Sequence, residues 1–156
     1  MILYGNMQCP FTKKFYKSLK LAFAEYPNDV ALAFKVFPLP FHKQAIPTAT
    51  AAMAAGRQGK YWEMVDLIFE NNRALQEDPK LLERLAEELG LNMKKFKKDL
   101  KSKKIKKQIE QEIEEGKKIG VNGTPFTVVG AQFITGAKPY DHLKEIVKAE
   151  IEAAKK

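Results

Sequence analysis

Met1-Ile2-Leu3-Tyr4-Gly5-Asn6-Met7-Gln8-Cys9-Pro10-Phe11-Thr12 opens the chain and sets the reading of everything after it. Met1 to Gly5 is a short apolar run that reads as a strand. Pro10 to Tyr26 places Phe15, Leu19, Ala22, Phe23 and Tyr26 at the spacing of an amphipathic helix. A strand passing through Cys-Pro into a helix puts the Cys9 sulfur at the helix N-terminus. There the unpaired backbone N–H groups and the positive end of the macrodipole favour a thiolate. Pro10 suits the first helical position, where a missing N–H costs nothing. Thr12 falls one turn along, and its hydroxyl is expected to reach the sulfur. Cys9 is the only cysteine, so no disulfide can form within the chain. A solitary cysteine is often a small buried hydrophobe; the Cys-Pro step at a strand-to-helix turn predicts an exposed, reactive sulfur instead.

The bulk properties narrow the class. At 156 residues the chain makes one domain, or one core with an insertion, and 45% hydrophobic with 29% charged residues is ordinary for a globular protein. No run approaches the ~18 apolar residues of a membrane span, and from the strand-like start no secretory leader is expected in this sequence. The net charge of +8 is concentrated in Lys94 to Lys107. That tract reads as a solvated helix face with Met93, Phe96, Leu100, Ile105 and Ile109 inward. No groove-reading motif or aromatic ladder accompanies it, so neither nucleic acid nor membrane is expected as a partner. One cysteine and two distant histidines have no metal-ligand spacing, and no metal or cofactor is expected.

The ends of the chain read as α/β and the middle as helix. Pro27-Asn28-Asp29 is a turn, and Ala31 to Phe37 a second strand closed by Pro38 and Pro40. Helical segments follow at Ala45 to Arg57 and Tyr61 to Asn71, and from a cap at Asp78-Pro79 to Leu89, with Gly90 ending the last. Trp62, with Tyr61 and Phe69, is expected in the core or on the wall of an interdomain groove. Asn92 starts the basic helix, and Lys103 to Lys118 carries Ile105, Ile109 and Ile113. Strands return at Phe126 to Val129 and Gln132 to Ile134, and Pro139 to Ala154 is a closing amphipathic helix.

Four segments, in this order, resemble the DsbA-like branch of the thioredoxin superfamily. They are Met7 to Phe15 around Cys-Pro-Phe-Thr; Phe34 to His42 with the Ala-rich helix beyond; Gln58 to Met64 leading to Asn71; and Gly116 with Gly120-Val121-Asn122-Gly123-Thr124-Pro125-Phe126 and Gly136-Ala137. The resemblance implies an α/β thioredoxin-like fold, a central mixed sheet flanked by helices, with an all-helical insertion. Residues 1–42 and 117–156 would form the thioredoxin-like domain and 43–116 the inserted helical domain. It also implies a cis Thr124–Pro125 peptide facing Cys9. The chain departs from the family at Thr12, which stands where the second cysteine of Cys-x-x-Cys is usual, and in lacking the family's extra N-terminal segment.

What the resemblance implies functionally is thiol–disulfide exchange on extended or unfolded polypeptides, here through Cys9 alone. Cys9 is the expected nucleophile, Pro10 and Phe11 tune the helix start, and Thr12 bonds the thiolate. Thr124 and Pro125 position an added peptide strand, and Phe41 and Phe126 line an apolar surface near the sulfur. His42 is expected to hydrogen-bond within its own loop. Partners would be polypeptides with cysteines or disulfides, and glutathione or another external thiol. The chain is expected to be a monomer, and by resemblance to act in the periplasm or another extracytoplasmic space. Two readings of other kinds stand beside this one: a redox-inactive scaffold that binds peptides or a partner through the same groove, and an engineered, designed or trapping variant of a dithiol enzyme.

Overall fold

The computed structural model describes residues 1–78 and 80–156. Four strands, β1 (Ile2–Gly5), β2 (Ala33–Val36), β3 (Phe126–Val129) and β4 (Gln132–Thr135), form one sheet in the order β2-β1-β3-β4. β1 runs parallel to β2 and antiparallel to β3, which pairs antiparallel with β4, so the sheet is mixed. The parallel pair requires a crossover, and α1 (Pro10–Glu25) supplies it. Gly130, at φ +57°, provides the left-handed residue of the tight β3–β4 connection. The second strand is shorter than the expected Ala31 to Phe37, although Phe37 N still donates to Gly5 O at 2.8 Å and extends the ladder.

Side-chain alternation sorts the sheet into two buried faces. Leu3, Phe34 and Ile134 share a register row and join Phe15 and Leu19 of α1 with Leu143 and Val147 of α8 (Tyr140–Ala154). On the other face Tyr4 and Phe126 pack with Phe37 and Val121, under α7 (Lys103–Lys118). Gly116 of α7 permits that approach: a Cβ there would stand 2.9 Å from the Phe37 ring and 3.1 Å from that of Tyr4. Burying each large side chain of these clusters contributes about 1.5–3 kcal/mol.

Between β2 and β3 the chain is helical: α2 (Ala45–Gly56), α3 (Tyr61–Glu70), α4 (Asn72–Glu77), α5 (Leu81–Glu88), α6 (Met93–Asp99) and α7. Small residues of α2 (Ala51, Ala52, Ala54 and Ala55, all fully buried) let it pack closely against α3. Met64, Val65, Ile68, Leu75, Phe96 and Ile105 complete this core. The short α4 has no counterpart in the sequence expectations, because only Leu75 of its six residues is buried and no periodic stripe marks it. The expected cap at Asp78-Pro79 involves Pro79, which lies outside the described residues. The basic tract is broken at Leu100–Ser102 into α6 and α7. Asn92 Oδ1 accepts from Lys95 N at 2.9 Å, and Ser102 Oγ accepts from Ile105 N at 3.4 Å.

Trp62 lies outside the core, one of the two places expected for it. It is 38% exposed, with its ring stacked on Tyr16 at 6.4 Å between centroids. The inward positions of α3 belong to Met64, Val65, Ile68 and Phe69, which leaves Trp62 on the flank facing α1. Tyr16 also donates to Asp66 at 3.0 Å, tying α1 to α3; burial and this carboxylate push its phenol well above the ordinary tyrosine range.

Candidate active site

The turn Asn6–Cys9 carries the site, and it is built by hydrogen bonds within itself, from the loop after β2 and from α4. Asn6, 2% exposed, accepts Gln8 N on Oδ1 at 3.0 Å and Cys9 N on its carbonyl at 2.9 Å, the Asx-type turn its position after a strand allows. Asn6 Nδ2 donates to His42 Nδ1 at 2.5 Å. Gln8 Oε1 accepts Gln44 N at 2.7 Å, and Asn72 of α4 donates to the Met7 carbonyl. The segment before the cysteine is thus pinned by the loop after β2 and by a helix of the middle region. His42, expected as a partner within its own loop, instead clamps the active-site turn. Asn6, Gln8 and Asn72 were not singled out in the sequence; only Asn6 carries a local signal, the turn propensity of Asn at a strand end.

Cys9 is the N-cap of α1 with extended backbone (φ −76°, ψ 121°), and Pro10 follows at the first helical position. Its sulfur is not exposed as expected: the residue is 5% accessible. Across the site the Thr124–Pro125 peptide is cis, and the Cys9 thiol donates to the Thr124 carbonyl at 3.6 Å. The pairing of β3 with β1 creates this approach, since it sets Phe126 opposite Tyr4 and so carries residues 124 and 125 over the end of β1.

Thr12 corrects a second expectation. It is fully buried, and its Oγ1 has no hydrogen-bond partner among the described residues, so no bond to the sulfur forms. The cause is packing. Thr12 lies over the end of β1, where a Cβ on Gly5 would come within 2.7 Å of Thr12 Cγ2, so the residue fills the helix–sheet interface. Thr124 Oγ1 is likewise buried without a partner.

The aromatic residues divide. Phe11 (62% exposed) and Phe41 (74% exposed) stand open to solvent, Phe41 edge-on to His42 at 4.5 Å between centroids. Phe126 does not join them on an open surface. It is 7% exposed and packs with Tyr4 and Phe133 beneath the cis peptide, because strand alternation turns it to the α7 face. Pro10, Phe11 and Cys9 are together at the head of α1 with Thr124 and Pro125 opposite; Phe126 and Thr12 are buried on opposite faces of the sheet.

A cysteine at a helix head opposite a cis-proline loop, on a four-stranded mixed sheet interrupted by a helical block, defines a thioredoxin-fold protein with an inserted helical region. The chain belongs to the DSBA-like thioredoxin domain family, whose profile matches residues 1–148. The probable disulfide bond formation protein D of Bacillus cereus is 27% identical over 162 residues, covering 97% of this chain and 73% of that protein. The Na(+)/H(+) antiporter NhaA 1 of Mycolicibacterium vanbaalenii is 27% identical over 132 residues, which cover 83% of this chain and 21% of the antiporter. The chain thus spans only a fifth to a quarter of the antiporters it matches, 21% of that one and 24% of NhaA 3 of Salinispora tropica. The structure of oxidised BdbD from Bacillus subtilis superimposes with a TM-score of 0.82 at 22% identity, covering 97% of this chain and 86% of that one, and so shares the fold.

Proposed function

We propose that the protein exchanges disulfides with extended polypeptides through Cys9 alone. The observation that carries this reading is the placement of the chain's single sulfur at the N-cap of α1, 3.6 Å from the Thr124 carbonyl beside a cis-proline. In the first step the Cys9 thiolate attacks one sulfur of a substrate disulfide. A new Cys9–substrate disulfide forms, the substrate S–S bond breaks, and the electron pair leaves on the other substrate sulfur as a thiolate. A second thiolate, external or from another cysteine of the substrate, then attacks the substrate sulfur of the Cys9–substrate disulfide; a new disulfide forms on that sulfur, the bond to Cys9 breaks, and Cys9 leaves as its thiolate. The number of disulfides is unchanged throughout. Net two-electron oxidation of a dithiol would need a second protein sulfur, and Thr12 stands in that position.

Thr124, on the residue before Pro125, offers backbone groups at a strand end where an extended peptide would add by main-chain pairing. Phe11 and Phe41, both exposed, would supply apolar contact on the rim. Peptides bearing cysteines or disulfides are the expected partners, with glutathione or a comparable thiol resolving the adduct. The reading assigns this activity to an extracytoplasmic space, which the membership of the DSBA-like family supports. No helix among the described residues is long and apolar enough to cross a membrane.

The test is adduct formation with a short peptide that carries one intramolecular disulfide. Intact-mass analysis without reductant should show the protein plus one peptide, absent in Cys9→Ser and dissolved by added glutathione. A second reading is favoured by the 5% exposure of Cys9: a groove that binds peptide without chemistry. Peptide binding that is equal in wild type and Cys9→Ser, with no covalent adduct, would establish that reading and overturn exchange.

A further inference from the structure

The lysine-rich tract does more than cover a helix face. Between the first half of α2 and the α6–α7 junction lies a cavity of about 440 Å³, within the range of small-molecule sites. Its walls are graded along α7. Lys101, Lys103 and Lys106 stand at one end, and Ile109 and Ile113 continue the stripe toward the other, with Ile46 of α2 facing them. Ile46 is 49% exposed, an apolar side chain held open beside this cavity. None of the three lysines forms an ion pair among the described residues, although lysines elsewhere on the surface do, such as Lys97 with Glu83 and Lys117 with Glu114. Glu110, the one acid on the wall, lies beyond Lys106 and repels an anion from the apolar end.

We propose that this groove binds a single-chain anionic amphiphile, a free long-chain carboxylate, with its head at Lys101, Lys103 and Lys106 and its chain along Ile46, Ile109 and Ile113. The charge at one end and the apolar lining at the other match that ligand in sign and in order. Length agrees as well. The ten helical steps of α7 from Lys103 to Ile113 span about 15 Å, and one acyl chain accounts for half of a bilayer's ~30 Å hydrocarbon thickness. The groove is walled on two sides by helices, a shape that favours one inserted chain over the flat face of a membrane. An acidic amphipathic peptide and an anionic lipid surface are the competing occupants, and the test separates them.

Calorimetric titration of the intact protein with octanoate, decanoate and dodecanoate below their micelle concentrations is the experiment. One saturable site is expected, with affinity rising about fourfold per added methylene as the buried apolar chain lengthens. Dodecan-1-ol should bind at least tenfold more weakly than dodecanoate. Lys103→Glu with Lys106→Glu should weaken dodecanoate at least tenfold and leave the alcohol unchanged, while Ile46→Glu should weaken both. Should charge reversal disturb folding, as read by circular dichroism, Lys103→Met with Lys106→Met replaces it with the same expectation. Equal affinity for alcohol and carboxylate, absence of a chain-length trend, or binding only to anionic vesicles or acidic peptides would overturn the proposal.

Discussion

The Cys9 thiol and the Thr124 carbonyl oxygen lie 3.6 Å apart, although 115 positions separate them in the chain. Everything that makes the site more than a buried cysteine depends on that approach. It is produced by the β1–β3 register on one side and by the Asn6 turn on the other, two constraints that meet at the sulfur.

Thr12→Cys should add the missing half of a redox pair. Oxidised Thr12→Cys protein is expected to pass its disulfide to a reduced dithiol peptide, one disulfide per chain, and end with two free thiols. Wild type should form no intramolecular peptide disulfide under the same conditions. Thiol counting on both components reads the result; a variant that oxidises but never transfers would mean that the Thr124 side does not present peptides.

Thr12→Val tests the unpartnered hydroxyl. Thr12 is fully buried and its Oγ1 has no partner among the described residues, so replacing it with a methyl of similar shape removes a desolvated polar group. Such a group costs about 1–3 kcal/mol, and the variant should gain about 1 kcal/mol in urea unfolding with an unchanged m-value. A loss of stability would show that the hydroxyl is bonded.

Gly116→Ala sets two effects against each other. In a helix interior the substitution ordinarily gains up to about 1 kcal/mol. Here the new Cβ meets ring carbons of Phe37 at 2.9 and 3.0 Å and of Tyr4 at 3.1 Å, in a packed cluster where overpacking costs about 1–3 kcal/mol. The clash should win, with net destabilisation of about 1–2 kcal/mol in the same unfolding experiment.

Glu112 gives the pH prediction. Its carboxylate accepts Val36 N at 2.7 Å, and burial raises its pKa above the ordinary glutamate value, outweighing the lowering by that bond, by Gln108 and by Lys35. A carboxyl with a raised folded-state pKa favours the native state while protonated. Its contribution is complete below the unfolded-state value and is lost as pH rises through the folded one. Wild type should therefore lose stability over the pH range just above the ordinary glutamate value. Glu112→Gln, which keeps a carbonyl acceptor for Val36, should flatten that segment of the stability profile. An unchanged profile would mean that another group titrates there.

Much of this protein is local chemistry and was legible without coordinates. The Met1–Gly5 strand, the helix opening at Pro10, the helix start at Asn92, and the amphipathic helices at either end all follow from periodicity and end residues within one or two turns. So does the position of Cys9 at a helix head, since the Cys-Pro step settles it within a few residues. The tertiary structure decided what each of those residues faces. It buried Cys9 and Thr12, turned Phe126 into the α7 face, left Trp62 on a flank, recruited His42 and Asn72 to the active-site turn, and set Ile46 beside the lysines of α7. The reason is separation. Most of these relationships join segments more than 30 residues apart, and their meeting is governed by sheet register and close packing of the whole core, which no single stretch of sequence encodes.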